Sequence, residues 1–253
     1  MSERGLKRVM KSVLALVVLV ASSPAQLLAD RVLVFGGTGQ LGAYHVQLLA
    51  ARGDTVTVFH RPTSSFERLE GVAYQAVSGD LLDTDSVMAA VTQIKPRVII
   101  DTSARRGGRM RAGEPFYAQA MQNIVAAASA AGSVGQIIIH SSVGVRDSAA
   151  PLKEKYDYDT DSPNMRDKAK AEVILEQAGI PYTIIRNGLL EHEPATATGG
   201  GRLTEDETVF GRITRADLAR LTLTCIGNEA CIGKILHALD DSLKGPRPAA
   251  GSE

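Results

Sequence analysis

Tryptophan is absent from the chain, and aromatic residues make up only 4% of it. Aromatic stacking is therefore not the main way this protein holds a base or a sugar. An excess of one charge is missing too. Twenty-eight Lys and Arg are matched by 28 Asp and Glu, which argues against nucleic acid as the main partner. Long apolar runs are lacking: the most apolar stretch, Val13 to Val20, falls well short of the about 20 residues that span a bilayer. Cysteine occurs only at Cys225 and Cys231. What remains is globular in character, 44% hydrophobic and 22% charged over 253 residues, long enough for one large domain with a sizeable core.

The first 29 residues read as a separate segment. Arg4, Lys7, Arg8 and Lys11 precede the apolar run, and small residues from Ala21 to Ala29 follow it. A basic start, a short apolar core and small residues describe an export signal. Cleavage is expected after Ala29 or near Ala21 to Ser23, and Met10 is an alternative start. The alternative is an uncleaved N-terminal anchor. Export to the periplasm or the medium suits the two cysteines, which either close a short disulfide loop or are unrelated buried thiols. A cytoplasmic location is the weaker expectation.

The chain is organised around Val32 to Gly42. Four apolar residues, Val32 to Phe35, lead into Gly36-Gly37-Thr38-Gly39-Gln40-Leu41-Gly42, and an amphipathic run from Ala43 to Ala51 follows. Gly37, Gly39 and Gly42 satisfy G-x-G-x-x-G, and Gly36, Gly39 and Gly42 satisfy G-x-x-G-x-x-G. Strand, glycine turn and helix in this order describe a dinucleotide phosphate loop: the glycines let the backbone approach a pyrophosphate, and the helix N-terminus offers unpaired N–H groups. The second strand is expected at Thr55 to His60. Where an acid would hold the ribose of NAD, the chain has Arg61 followed by Pro62, Thr63 and Ser64. A guanidinium there suits a 2′-phosphate, which favours NADP over NAD; the alternative is a solvated Arg.

Further strands are expected at Val72 to Val77, Arg97 to Asp101, Gly135 to His140, Tyr182 to Arg186, Thr208 to Ile213 and Lys234 to Leu239. Helices are expected after Asp83, over Pro115 to Ala131, after the Ser162-Pro163 start, and over Arg215 to Ile226 behind a Thr214 cap. Asp80, followed by Leu81, either accepts from an adenine amino group or serves a turn. Ser103 and Ala104 lie past the fourth strand, where doubly wound sheets bind ligands. Arg105, Arg106, Arg109 and Arg111 form either a solvated basic loop or an anion clamp. Leu152 to Asp161 is expected to be a charged loop holding Tyr156 and Tyr158, Gly199 to Gly201 a hinge or loop, and Gly245 to Glu253 a disordered tail. The alternation gives an α/β fold: a Rossmann-type doubly wound parallel sheet over 30–244, with a small C-terminal cap.

With these elements in place, the chain resembles the atypical short-chain dehydrogenase/reductase group, the NmrA-like NAD(P)-binding proteins. The resemblance covers about Arg31 to Asp240. It rests on Gly36 to Gly42, on Ser78-Gly79-Asp80-Leu81, on Ser141-Ser142-Val143-Gly144 and on Lys168-Ala169-Lys170-Ala171-Glu172. Gly179 to Arg186 and Ile213 to Ala219 add to it. It implies a Rossmann fold, a nicotinamide cofactor and hydride transfer in the enzymatic members. Other members bind the cofactor without turnover, as sensors or assembly factors.

Catalytic members of the wider superfamily use a Ser, a Tyr and a Lys, the last two spaced Y-x-x-x-K. The Tyr gives a proton to the carbonyl as hydride arrives, and the ammonium lowers its pKa and holds the cofactor ribose. Here Lys168 matches the Lys, and Ser141 or Ser142 matches the Ser. Asn164 stands four residues before Lys168, where the Tyr is expected, and Tyr158 is a substitute that would have to reach in from its loop. The resulting expectation is an oxidoreductase using NADP on a small molecule, with no metal and with membrane contact only through the N-terminal segment. The alternative is an NADP-binding sensor or assembly protein.

Overall fold

The computed structural model describes residues 30–104 and 115–246. The expected export segment, the arginines at 105, 106, 109 and 111, and the tail from 247 onward lie outside the described residues. Strand β1 (Arg31–Phe35) is the centre of the architecture, and its residues Val32 to Phe35 are fully buried. A strand with apolar residues on both faces needs cover on both sides, and helices supply it. Val32 and Val34 pack on the side of α1 (Gln40–Arg52) and α6 (Arg215–Thr224). Leu33 and Phe35 pack on the side of α2 (Thr84–Ile94), α3 (Tyr117–Ala131) and α5 (Pro163–Glu176).

The sheet also contains β2 (Thr55–His60), β3 (Gln75–Ser78), β4 (Val98–Asp101), β5 (Gln136–Ser142), β6 (Tyr182–Asn187), β7 (Leu189–Leu190), β8 (Gly201–Thr204), β9 (Arg212–Ile213) and β10 (Lys234–Asp240). Its order is β3-β2-β1-β4-β5-β6-β10-β9-β7, with β8 paired to β10. Strands β1 to β6 and β10 run parallel. The chain order reverses beside β1, between β1 and β4, so a crevice opens above the carboxyl ends of those two strands. This is the expected Rossmann-type α/β fold.

Several local expectations change. The third strand is Gln75–Ser78 rather than Val72 to Val77, because Gly71 turns with a left-handed φ of 74° and Val72 still donates to Leu69 O. The first half of the expected charged loop is helical: α4 (Ala149–Tyr156) buries Leu152 completely and stops at Asp157 in a left-handed conformation. The expected hinge at Gly199 to Gly201 is fastened, with Asp217 accepting from the N–H groups of Thr198 at 2.7 Å and Gly199 at 3.1 Å, and Gly201 opens β8. The region read as a C-terminal cap supplies β10 to the main sheet, since Leu236 and Ala238 bury on the α1 side. Cys225 and Cys231 form a disulfide with Cα atoms 5.3 Å apart, which settles that alternative.

Candidate functional site

The glycine turn between β1 and α1 is shaped by close backbone approach. Gly36 has a φ of 75°, and a Cβ there would come within 2.7 Å of the Ser103 nitrogen. At Gly42 a Cβ would lie 2.2 Å from Gly36 O and 2.7 Å from Thr102 Oγ1. Thr102 fixes the other wall, donating through Oγ1 to Phe35 O at 2.9 Å. Helix α1 starts at Gly39, which offers no capping side chain. Helices α2, α5 and α6 start on Asp83, Ser162 and Thr214, whose side chains do accept from the first turn. The first N–H groups of α1, at Gln40 to Gly42, are thus left for an outside acceptor, and the glycines leave room for one against the backbone. Thr38 and Gln40 are partly exposed at this mouth, while Leu41 turns into the core. The cradle fits a pyrophosphate.

Across the crevice, Lys168 of α5 donates to Ser142 Oγ at 2.9 Å. Its ammonium also lies over the ring of Tyr117, 5.0 Å from the centroid. Burial lowers the Lys168 pKa to about 8, opposed by the negative charges of Glu172 and Asp101. Asp101, at the end of β4, is pushed up to about 6 by burial, opposed by Ser103 and by Lys168. Its Oδ1 accepts from the Ser103 N–H at 2.8 Å. Burial thus shifts both groups toward neutrality, Asp101 at the carboxyl end of β4 and Lys168 beside Ser142 at the end of β5.

Of the two candidate serines, only Ser142 meets Lys168. Ser141 is buried and donates to Glu172 Oε1 at 2.6 Å. Glu172 also takes two bonds from the fully buried Arg186, at 3.1 and 2.8 Å. Arg186 in turn bonds Asp147. This network bolts α5 to β6 and to the turn after β5, and so holds the helix that carries Lys168. Asn164 lies exposed on the first turn of α5 and hydrogen-bonds to no described residue. Tyr158 does not supply the missing phenol, for its ring packs on Phe210 at 4.8 Å and against Gly144.

The adenine end is less enclosed. Arg61 is exposed just past β2, and the β1–β2 register, Phe35 opposite Phe59, brings it level with the glycine turn. Its guanidinium has no ion-pair partner among the described residues. Asp80 serves its turn by accepting from the Leu82 N–H at 2.9 Å, and Leu81 is a core residue whose carbonyl accepts from Asn123. Ala104 is exposed at the crevice, beside Ser103.

Sequence reasoning missed Tyr117, Asp101 and Asp167. Asp167 accepts from the N–H groups of Phe116 at 2.6 Å, Tyr117 at 2.7 Å and Ala118 at 3.3 Å, and so caps α3 from another helix. No spacing rule links residues about 50 positions apart. The one available signal was Asp101, an acid closing an otherwise apolar strand.

Comparison with known proteins agrees with this geometry. A family model described as NAD(P)H-binding matches residues 36–229. ChuY from Escherichia coli O157:H7, titled an anaerobillin reductase, superposes with a TM-score of 0.68 at 24% identity, covering 85% of this chain and 98% of that one. A short-chain dehydrogenase/reductase from Veillonella parvula, solved in complex with NADP, superposes with a TM-score of 0.65 at 15% identity, covering 87% and 99%. Sterol demethylase protein B of Methylococcus capsulatus is 41% identical over 63 residues, which are 25% of this chain and 19% of that relative's length. The chain belongs to the NAD(P)H-binding family and has the Rossmann-type fold of these solved structures.

Proposed function

We propose that the protein is an oxidoreductase that uses NADP(H) to transfer hydride to or from a small-molecule substrate. The observation that carries this reading is the Lys168–Ser142 pair, 2.9 Å apart and facing the same crevice as the uncapped start of α1. When bound, the nicotinamide supplies or takes up the hydride. The residues of the chain do the rest. Gly36 to Gly42 hold the pyrophosphate, with Ser103 and Ala104 as the opposite wall. Lys168 holds the nicotinamide ribose through its ammonium, and Ser142 orients the substrate oxygen. Asn164, at the mouth, offers an amide to the substrate or to a water. Arg61 selects NADP by pairing with its 2′-phosphate, for which a planar guanidinium is suited.

Two measurements test this. Purified protein is expected to bind NADPH more tightly than NADH, and Arg61→Ala is expected to lose about tenfold or more in NADPH affinity with little change for NADH. Equal affinities in the wild type would remove the NADP assignment. Absence of NADPH oxidation across a panel of quinones, flavins and carbonyls would remove the oxidoreductase. A second reading, an NADP-binding sensor or assembly protein without turnover, is favoured by one observation: the exposed, unbonded Asn164 in the place of the usual Tyr. Tight NADP binding with no turnover and a co-purifying partner would support it.

Export through the N-terminal segment belongs to the same proposal. The basic start and short apolar run support it, and so does the Cys225–Cys231 disulfide, which suits an oxidising compartment. N-terminal sequencing of protein recovered from a periplasmic fraction checks it, and full-length protein confined to the cytosol refutes it.

A further inference from the structure

We infer that Tyr117, on the first turn of α3, is the phenolic proton donor of the site and takes the part that the α5 sequence leaves unfilled at Asn164. The inference rests on the oxidoreductase reading and deepens it. A phenol can act as an acid near neutrality when it sits beside a cation that stabilises its phenolate, close to the group that orients the substrate. Three observations put the ring of Tyr117 beside these groups. Its ring carries the Lys168 ammonium, 5.0 Å from the centroid. The same ammonium is bonded to Ser142, so phenol ring, cation and orienting hydroxyl form one cluster. The backbone of Tyr117 is held by Asp167, the residue next to Lys168, so one short piece of α5 sets both partners.

Tyr156 and Tyr158 both pack on Phe210, at 5.0 and 4.8 Å. Asp101 is buried, with an oxygen fixed by the Ser103 N–H. The arrangement amounts to a tyrosine–lysine pair built across two helices instead of along one. A burial-lowered Lys168 near about 8 suits a group that passes protons on at neutral pH.

The step balances for a carbonyl acceptor. The acceptor carbon gains a C–H bond from hydride, and the C=O π pair moves to oxygen. That oxygen takes the Tyr117 proton, and the two electrons come from the reduced nicotinamide, which ends oxidised. The phenolate regains a proton from Lys168, and Lys168 regains one from solvent.

Tyr117→Phe tests this, since it keeps the ring under the ammonium and removes only the hydroxyl. Near-ultraviolet tyrosinate absorbance of the full chain is followed against pH without substrate. The wild type is expected to show a tyrosinate step below the ordinary phenol value of about 10, absent in Tyr117→Phe and displaced upward in Lys168→Met. In NADPH oxidation with phenanthrenequinone, kcat of Tyr117→Phe is expected to fall about 100-fold while NADPH affinity is retained. A Tyr117 signal at the ordinary value or above overturns the inference, and so does an unchanged kcat. If the wild type oxidises NADPH with no quinone, flavin or carbonyl of the panel, the hydride-transfer reading falls, whereas the absorbance titration still stands for or against the Tyr117–Lys168 pair.

Discussion

His45 and His140 meet in the core with their Nε2 atoms 3.2 Å apart, between α1 and β5. His45 Nδ1 faces the Leu41 carbonyl at 3.0 Å and donates to it, which leaves its Nε2 as an acceptor. His140 Nδ1 faces Asn187 Oδ1 at 2.9 Å, and its Nε2 lies 3.3 Å from Thr222 Oγ1, whose own hydrogen goes to Leu218 O. Burial lowers His45 to about 4, and burial with His45 and Lys168 nearby lowers His140 to about 3. Both values lie below the unfolded imidazole, so the stability they contribute is complete above about pH 6.5 and is lost as pH falls toward the folded values. Chemical unfolding is expected to show a loss of about 3 kcal/mol or more over that acid range, and His140→Gln is expected to flatten the slope. An unchanged slope in the variant would exclude the pair as its source.

Among the elements, helix starts divide by where the cap comes from. Asp83, Ser162-Pro163 and Thr214 announce α2, α5 and α6 in the sequence because cap and first turn lie three residues apart. Helix α3 has no such signal, and its start is held by Asp167 on α5. The cost of losing three bonds to one buried carboxylate is larger than that of a surface cap. Asp167→Ala is expected to destabilise the fold by about 2 kcal/mol and to speed amide exchange at Phe116, Tyr117 and Ala118. Exchange as slow as in the wild type would show that α3 holds its first turn unaided. Charge patterning hides α4 for a related reason: six of its eight residues are Ala, Pro, Lys or Glu at exposed or half-exposed positions, and only the burial of Leu152 declares a packed face.

At the scale of the fold, two helical layers close on the sheet, and each contains a buried polar cluster: the histidine pair on the α1 side and the Glu172–Arg186 pair on the α5 side. The second holds the helix of Lys168, which links core structure directly to site geometry. The far end of the sheet is fastened by the Cys225–Cys231 loop. Thr183 of β6 donates to the Cys231 carbonyl at 2.8 Å, and Gln136 of β5 to that of Cys225 at 2.9 Å. Closing so short a loop stabilises by about 2 kcal/mol through the entropy removed from the unfolded chain. A Cys225→Ser, Cys231→Ser double variant is expected to lose about that much in denaturant unfolding and to bind NADPH as before. A larger loss with failed binding would mean that the loop organises the sheet rather than trimming its edge.

The sequence by itself determined the sheet class, the phosphate loop and three of the helix starts. These rest on relations within a few residues: apolar runs such as Val32 to Phe35, the glycine spacing from Gly36 to Gly42, and a cap beside its own turn. The tertiary structure alone decided that Ser142, not Ser141, meets Lys168, because adjacent strand residues send their side chains different ways and packing chooses between them. It alone joined the two cysteines, built β10 into the sheet, and brought Tyr117 and Asp167 to the site. Those relations cross from helix to helix or strand to strand, where closeness in space is set by how the layers pack and leaves no periodic trace along the chain.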